Sequence, residues 1–146
     1  METTKSILRE ETEMDELRHF LKLNHLPHSD VKLQDSLYFT YRNHDGKLIG
    51  SGGLEFYDAS ALLRSLAIDE SCRGLSLGKQ MLHDLLAEAI KAEIKEVYLL
   101  TETAQGFFIK NGFQDVPRNE APALLQASTE FAHVCPSTAK CLVFKF

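Results

Sequence analysis

The chemistry is easiest to read in Arg73-Gly74-Leu75-Ser76-Leu77-Gly78-Lys79, a turn that joins an apolar run to a long helical pattern ending near Lys91. The first four amides of a helix have no partner inside it, and the helix dipole places partial positive charge there. Two glycines and two cations at that point, with no acid, favour an anion and above all a phosphate or pyrophosphate. Two familiar phosphate loops do not fit the letters. Gln80 follows Lys79 where a Walker A loop needs Ser or Thr, and the dinucleotide pattern G-x-G-x-x-G fails because only Gly74 and Gly78 are present. A turn that merely tightens a strand-to-helix connection is the plain alternative.

Two further side chains carry chemistry of their own. Glu55 follows Gly50-Ser51-Gly52-Gly53, and glycines inside a strand mark a bulge or the close approach of another group. A carboxylate facing a cavity there could take a proton from an incoming ammonium, directly or through water, as a general base; an exposed Glu on an alternating strand is the other reading. Arg64 sits among Leu62, Leu63 and Leu66, where a guanidinium needs an anion. That anion is either a ligand carboxylate, which Arg grips with two hydrogen bonds, or Glu55 on the neighbouring strand. No metal is expected. His25 and His28 lack a carboxylate or cysteine cluster to complete a ligand set, and His133, Cys135 and Cys141 lack the spacing of a zinc knuckle.

These residues need a scaffold. With 146 residues and 44% apolar content, the chain is expected to form one α/β domain over residues 1–146. Ser6 to Arg9 reads as a first strand. Glu10 to Asn24 reads as a helix with Thr12 as its N-cap, Asp15 three residues later, and Met14, Leu17, Leu21 and Asn24 on one face. Leu26-Pro27 stops that helix, and Ser29 or Asp30 is placed to cap a second, shorter one. Leu37–Arg42 and Lys47–Tyr57 form a hairpin about Asn43-His44-Asp45-Gly46. Asp58-Ala59-Ser60 then returns the chain into Ala61–Ile68, whose alternation puts Leu62, Arg64, Leu66 and Ile68 on one face. Met81, Leu82, Leu85, Leu86 and Ala89 give the following helix an apolar stripe, and Val97 to Leu100 reads as a buried strand that closes a βαβ unit. Lys140 to Phe146 is a final strand with Leu142, Phe144 and Phe146 on one face.

A net charge of −5 without a basic block argues against nucleic acid or an anionic membrane surface as partner, which leaves a small molecule. No apolar stretch is long enough to span a bilayer, and Met1 to Arg9 lacks the pattern of a signal peptide, so a cytoplasmic location is expected. Three cysteines, Cys72, Cys135 and Cys141, are expected as free thiols.

Arg73 to Gly78 resembles the Q/R-x-x-G-x-G/A acyl-CoA loop of the GNAT acetyltransferase superfamily, with Ser76 in place of the middle glycine. Because a Ser at positive φ costs about 1 to 2 kcal/mol, Ser76 is expected in an ordinary helical conformation. A second signature follows: Ala104, Phe108 and Gly112-Phe113 match the family's Ala, aromatic and Gly-Phe spacing. Most relatives carry Tyr where Phe108 stands, so the usual proton donor to the departing thiolate is absent and water is expected to serve. Leu100-Thr101 with Phe107-Phe108 and Gly112-Phe113 looks like the acetyltransferase domain of N-acetylglutamate synthases. Leu26-Pro27, Gly53-Leu54-Glu55, Leu62 to Ala67, Arg118 to Pro122, Thr129 to Ala132 and Cys135 to Cys141 resemble the arsenic-resistance N-acetyltransferase branch of GNAT.

The resemblance implies a mixed, splayed sheet of six or seven strands with about four helices. It also implies transfer of an acetyl group from acetyl-CoA to the primary amine of a small, amino-acid-like molecule, with a non-catalytic acyl-CoA-binding module as the alternative. Acetyl-CoA would be held by Leu66, Ala67, Ile68, Arg73, Gly74, Leu75, Ser76, Leu77, Gly78 and Lys79, and by Thr101, Ala104, Phe107 and Phe108, with backbone groups near Leu66 to Ile68 polarising the thioester. Glu55 would be the catalytic base. Arg64, Ser65, Glu102 and Arg118 would bind the acceptor, one of the arginines gripping its anionic group. A homodimer is among the assemblies allowed.

Overall fold

The computed structural model describes residues 3–74, 76–134, 136 and 138–146, with 133 and 134 as backbone alone. Leu75 and Cys135, both named above, lie outside the described residues, as does the side chain of His133. Seven strands form one sheet in the order β1-β2-β3-β4-β5-β7-β6. They are β1 Thr4–Ile7, β2 Ser36–Arg42, β3 Leu48–Tyr57, β4 Ser60–Ile68, β5 Glu96–Thr101, β6 Gln114–Asp115 and β7 Lys140–Lys145. All neighbours are antiparallel except β4 and β5. The crossover between those two is α2, Leu77–Lys91, joined by α1 Glu11–Leu23, α3 Gln105–Lys110 and α4 Ala123–Gln126.

The apolar stripe of α2 packs Met81, Leu82, Leu85 and Ala89 against Ile49, Leu63, Val97 and Leu99 on one face of the sheet. On the opposite face α1 buries Met14, Leu17, Phe20 and Leu21 against Tyr38 and Ala67, and Leu125 of α4 packs with Leu62, Tyr98, Cys141 and Val143. The strand glycines make room for this packing. A Cβ on Gly52 would stand 2.6 Å from Leu85, and one on Gly53 would stand 2.3 Å from the Tyr38 ring.

Four expectations are corrected. The N-cap of α1 is Glu10, not Thr12, because Glu13 reaches back to accept the amides of Arg9 and Glu10 at 3.0 Å. No helix forms between α1 and β2: His25 closes α1 at φ 61°, Leu26 N–H bonds to Leu21 O at 3.0 Å, and Asp30 spends its carboxylate on Arg64 instead of on a cap. The side-chain alternation of β4 breaks at Ser65. There Ser51 pairs with Ala67 and Gly53 with Arg64, so β4 carries one extra residue, and Ser65 adopts φ 60°. Leu62 and Arg64 therefore face α4, whereas Leu66 and Ile68 pack on the α2 side. The buried Ser51 hydroxyl donates to Ser65 O at 2.7 Å and pins the bulge. Finally, Ser76 is left-handed, with φ 63° and ψ 9°, at the N-cap of α2. Left-handed strain at Ser76 costs about 1 to 2 kcal/mol and the added freedom of an unfolded glycine about 0.4 to 1, so Ser76→Gly is expected to raise stability by at most about 1 kcal/mol in urea denaturation.

Candidate active site

β4 and β5 pair only at Ser60–Glu96, Ala61–Val97 and Leu62–Tyr98. Beyond that point the parallel ladder ends, and a cleft of about 1000 Å³ opens between the diverging strands. Its lining along β4 runs from Leu63 to Ile68, about 16 Å of strand, where Arg73 and Gly78 join it. Leu99 to Thr101 of β5, Glu102, Thr103, Ala104, and Phe107 and Phe108 of α3 complete the wall that follows β5.

At the Ile68 end, the amides of Leu77, Gly78 and Lys79 precede the internal bonds of α2, which begin with Gln80 N–H to Ser76 O at 3.2 Å. A Cβ on Gly78 would lie 2.9 Å from Ile68 Cδ1, so glycine leaves the backbone free to face a ligand closely. Arg73 is exposed, and its guanidinium bonds to Ile68 O and Asn24 Oδ1, both at 3.3 Å. Leu66, Ala67, Ile68, Thr101, Ala104, Phe107 and Phe108, the residues the resemblance implies for acetyl-CoA, all line the cleft. Gly74, Ser76, Leu77 and Lys79 shape the turn without lining it. Leu77 in particular turns its side chain into the core, leaving only its backbone for a ligand. Phe108 is packed edge-on between Phe107 and Phe113, with centroids 5.1 and 5.4 Å away.

The Arg64 end differs from what the sequence suggested. The Arg64 side chain has no exposed surface. Its two terminal nitrogens bond to Asp30 at 2.5 and 2.7 Å, one of them also to Glu55 at 2.9 Å, and Nε lies 3.6 Å from Glu130. Of the two partners considered for Arg64, the internal one is present, and Asp30 and Glu130 join it. Glu55 is equally committed. It is 5% exposed, accepts from Tyr57 Oη at 2.7 Å and from Arg64, and does not line the cleft, so it stands as a counter-ion and not as an open base. Arg118 is also removed from the acceptor side. It donates to Phe131 O at 2.8 Å and Pro136 O at 2.6 Å, tying down the chain between α4 and β7. Ser65 and Glu102 do line the cleft.

Burial tends to raise the Asp30 carboxyl, but the hydrogen bonds and charge of Arg64 outweigh it and hold Asp30 below its ordinary range. Glu130, 4% exposed, goes the other way. Burial pushes it from 4.5 up to about 7, Arg64 opposes the rise, and the charges of Glu55 and Asp30 add to it. Because the folded state keeps this proton longer than the unfolded chain, Glu130 supports folding below about pH 4.5 and loses that contribution as pH rises through about 7. Glu130→Gln is accordingly expected to gain melting temperature over the parent across that window and to run parallel to it above, as read by circular dichroism.

Sequence reasoning missed Glu130 and the segment from Asn24 to Ser29, all of which line the cleft. His25 and His28 belong to that segment, and no cluster of three metal-ligating side chains occurs among the described residues. The Leu26-Pro27 match was the one signal for this segment, and no local pattern marks Glu130. Cys72 and Cys141 are buried free thiols, Cys141 raised to about 11 by burial. No helix among the described residues is long and apolar enough to cross a membrane.

Comparison with known proteins bears on this geometry. No curated protein sequence matches the chain. Among solved structures it is similar to a GNAT-family acetyltransferase from Staphylococcus aureus Mu50, at 17% identity and TM-score 0.73, over 97% of this chain and 99% of that one. It is similar to N-acetylglutamate synthase from Neisseria gonorrhoeae complexed with coenzyme A and L-arginine, at 17% identity and TM-score 0.76, over 99% of this chain and 34% of that one. It is also similar to Rv2747 from Mycobacterium tuberculosis in complex with CoA, at 16% identity and TM-score 0.75, over 97% and 99%. The profile described as "Acetyltransferase (GNAT) domain" matches residues 34–115, which run from the turn before β2 to the end of β6 and include the splayed strands and the α2 turn; the chain belongs to the GNAT acetyltransferase family.

Proposed function

We propose that the chain, as one domain, transfers the acetyl group of acetyl-CoA to a small primary amine by direct attack within the cleft. The observation that carries this reading is the end of the β4–β5 ladder at Leu62–Tyr98 beside the N-terminus of α2, which leaves strand edges and helix amides open to one cavity. The first-turn amides with Arg73 and Lys79 suit the diphosphate, and Gly78 suits close approach of backbone to it. The β4 edge at Leu66 to Ile68 suits an extended amide-bearing arm, and Phe107 and Phe108 supply apolar wall. Acetyl-CoA would bring an acyl group on a good leaving thiolate; the protein's part is to hold, orient and desolvate it. Both CoA-bound relatives support this choice of cosubstrate.

The acceptor is read here as an amine without an obligatory carboxylate, because the two terminal nitrogens of Arg64 are bonded to Asp30 and Glu55 and those of Arg118 to backbone carbonyls. A cytoplasmic setting belongs to the same reading and agrees with the free thiols of Cys72 and Cys141. Release of CoA thiol from acetyl-CoA, followed with a thiol reagent across a panel of small amines, is expected to proceed steadily with at least one amine. Tight CoA binding with no thiol release above the amine-free rate would make the chain a binding module instead.

A further inference from the structure

We infer that Glu130 is the proton-accepting residue of the acceptor site, and that the carboxylates around it select an amine carrying no carboxylate of its own. The inference rests on the transferase reading above and deepens it.

Glu130 begins the π-helical turn Glu130–Val134, and its side chain lines the cleft at the Arg64 end. Among the described residues its Oε2 is buried without a hydrogen-bond partner, as is the hydroxyl of Ser65, which lines the same cleft and is itself 9% exposed. Buried polar atoms are nearly always paired. Of the three orphans on residues lining this cavity, Arg64 Nε, Ser65 Oγ and Glu130 Oε2, the carboxylate oxygen and the hydroxyl can both accept, and together they make a receptor for an N–H donor. The other Glu130 oxygen lies 3.6 Å from Arg64 Nε, an ion-pair separation without a hydrogen bond, and Arg64 Nε is also without a partner among the described residues, so Oε2 is left for the ligand.

The charges around Glu130 set which amine fits. Arg64 on β4 faces it, Arg64 is shared with Glu55 on β3 and Asp30 after α1, and the charge of Arg118, which is bonded to Phe131 O, opposes the rise of Glu130. Three acids thus surround one buried arginine, an excess of negative charge that welcomes an ammonium and repels a further carboxylate. Near neutral pH a Glu that titrates at about 7 is matched to accept a proton and return it to solvent.

The step balances. The ammonium gives one proton to Glu130 Oε2, and the freed nitrogen lone pair forms the C–N bond to the thioester carbonyl carbon. The C–S bond breaks with its pair on sulfur, the second nitrogen proton reaches that thiolate through solvent, and Glu130 loses its proton to solvent before the next turnover.

The test compares the parent with Glu130→Gln, using 1,4-diaminobutane and 4-aminobutanoate as probe acceptors. The parent is expected to show an acid limb in kcat/KM near pH 7. Glu130→Gln is expected to lose that limb and fall by about 10² to 10⁴-fold, while its CoA affinity, read by calorimetry, stays unchanged and shows the variant folded. Parent-like rate and acid limb in Glu130→Gln overturn the assignment, and equal turnover of the two probes overturns the selectivity. Carbon-13 NMR of the Glu130 carboxyl decides the proton-accepting role even without turnover: its titration near pH 7 should shift on adding 1,4-diaminobutane, and a signal indifferent to that diamine overturns the role. Absence of thiol release in the parent with all amines, despite CoA binding, instead defeats the transferase reading.

Discussion

Gly78→Asp is expected to lose CoA binding by at least about a hundredfold in calorimetry while the protein stays folded. Micromolar affinity corresponds to about 8 kcal/mol, and charge-assisted hydrogen bonds from helix amides and nearby cations contribute about 1.5 to 3 kcal/mol each, short of additively. The substitution acts twice on that set. Its Cβ stands 2.9 Å from Ile68 Cδ1, so the tip of that side chain must give way, and its carboxylate places a like charge among the amides proposed to face the diphosphate. Gly78→Ala separates the two effects. It adds the same Cβ against the flexible tip of Ile68 without a charge, and is expected to weaken binding far less. Equal affinity for parent and Gly78→Asp would move the diphosphate away from the start of α2.

Arg64→Ala is expected to be the most destabilising single change in the protein, lowering the melting temperature by more than about 10 °C at neutral pH or preventing folding altogether. Removing one partner of a buried ion pair costs about 3 to 5 kcal/mol because the other is left uncompensated, and folded proteins hold only about 5 to 15 kcal/mol in reserve. Here three carboxylates, Asp30, Glu55 and Glu130, share the one guanidinium. The sign of the pH dependence follows. In the parent, Asp30 is held below its ordinary range, so its contribution is present at neutral pH and lost on strong acidification. In Arg64→Ala the same carboxyls lack a counter-ion and take up protons more readily, so that variant should regain stability as pH falls from about 7 to about 5. Adding Asp30→Asn, Glu55→Gln and Glu130→Gln to Arg64→Ala should restore much of the loss at neutral pH. A melting temperature for Arg64→Ala within a few degrees of the parent would mean that Arg64 is not the hub of the cluster.

Local chemistry made much of the architecture legible. The hairpin about Asn43 to Gly46 follows from one turn signal: the Asn43 side chain accepts the amides of Asp45 and Lys47 at 3.0 Å, and Gly46 takes φ 82°. The stripe of α2, the strand beside it and the glycine at the start of the helix were all set by residues within a few positions of one another. The cleft residues Leu66 to Ile68, Thr101, Ala104, Phe107 and Phe108 were marked by the family resemblance and not by local pattern.

What the sequence by itself determined was the central elements, from the β2–β3 hairpin through β4 and α2 to β5, and the glycine-bearing turn between β4 and α2, because periodicity, capping and turn chemistry act over about ten residues or fewer. Only the tertiary structure decided the Arg64 end of the cleft. Arg64 lies 34 positions from Asp30 in the chain, and 66 from Glu130, yet all three meet at one buried point. The bulge at Ser65 turns Arg64 and Leu66 to opposite faces, a change no alternating pattern encodes. Glu55 was drawn from candidate base to counter-ion, and Glu130 from an unmarked position to the cleft wall. A buried charge is governed by which other charges the fold brings within a few ångströms, and that is a property of the packed sheet and its connections.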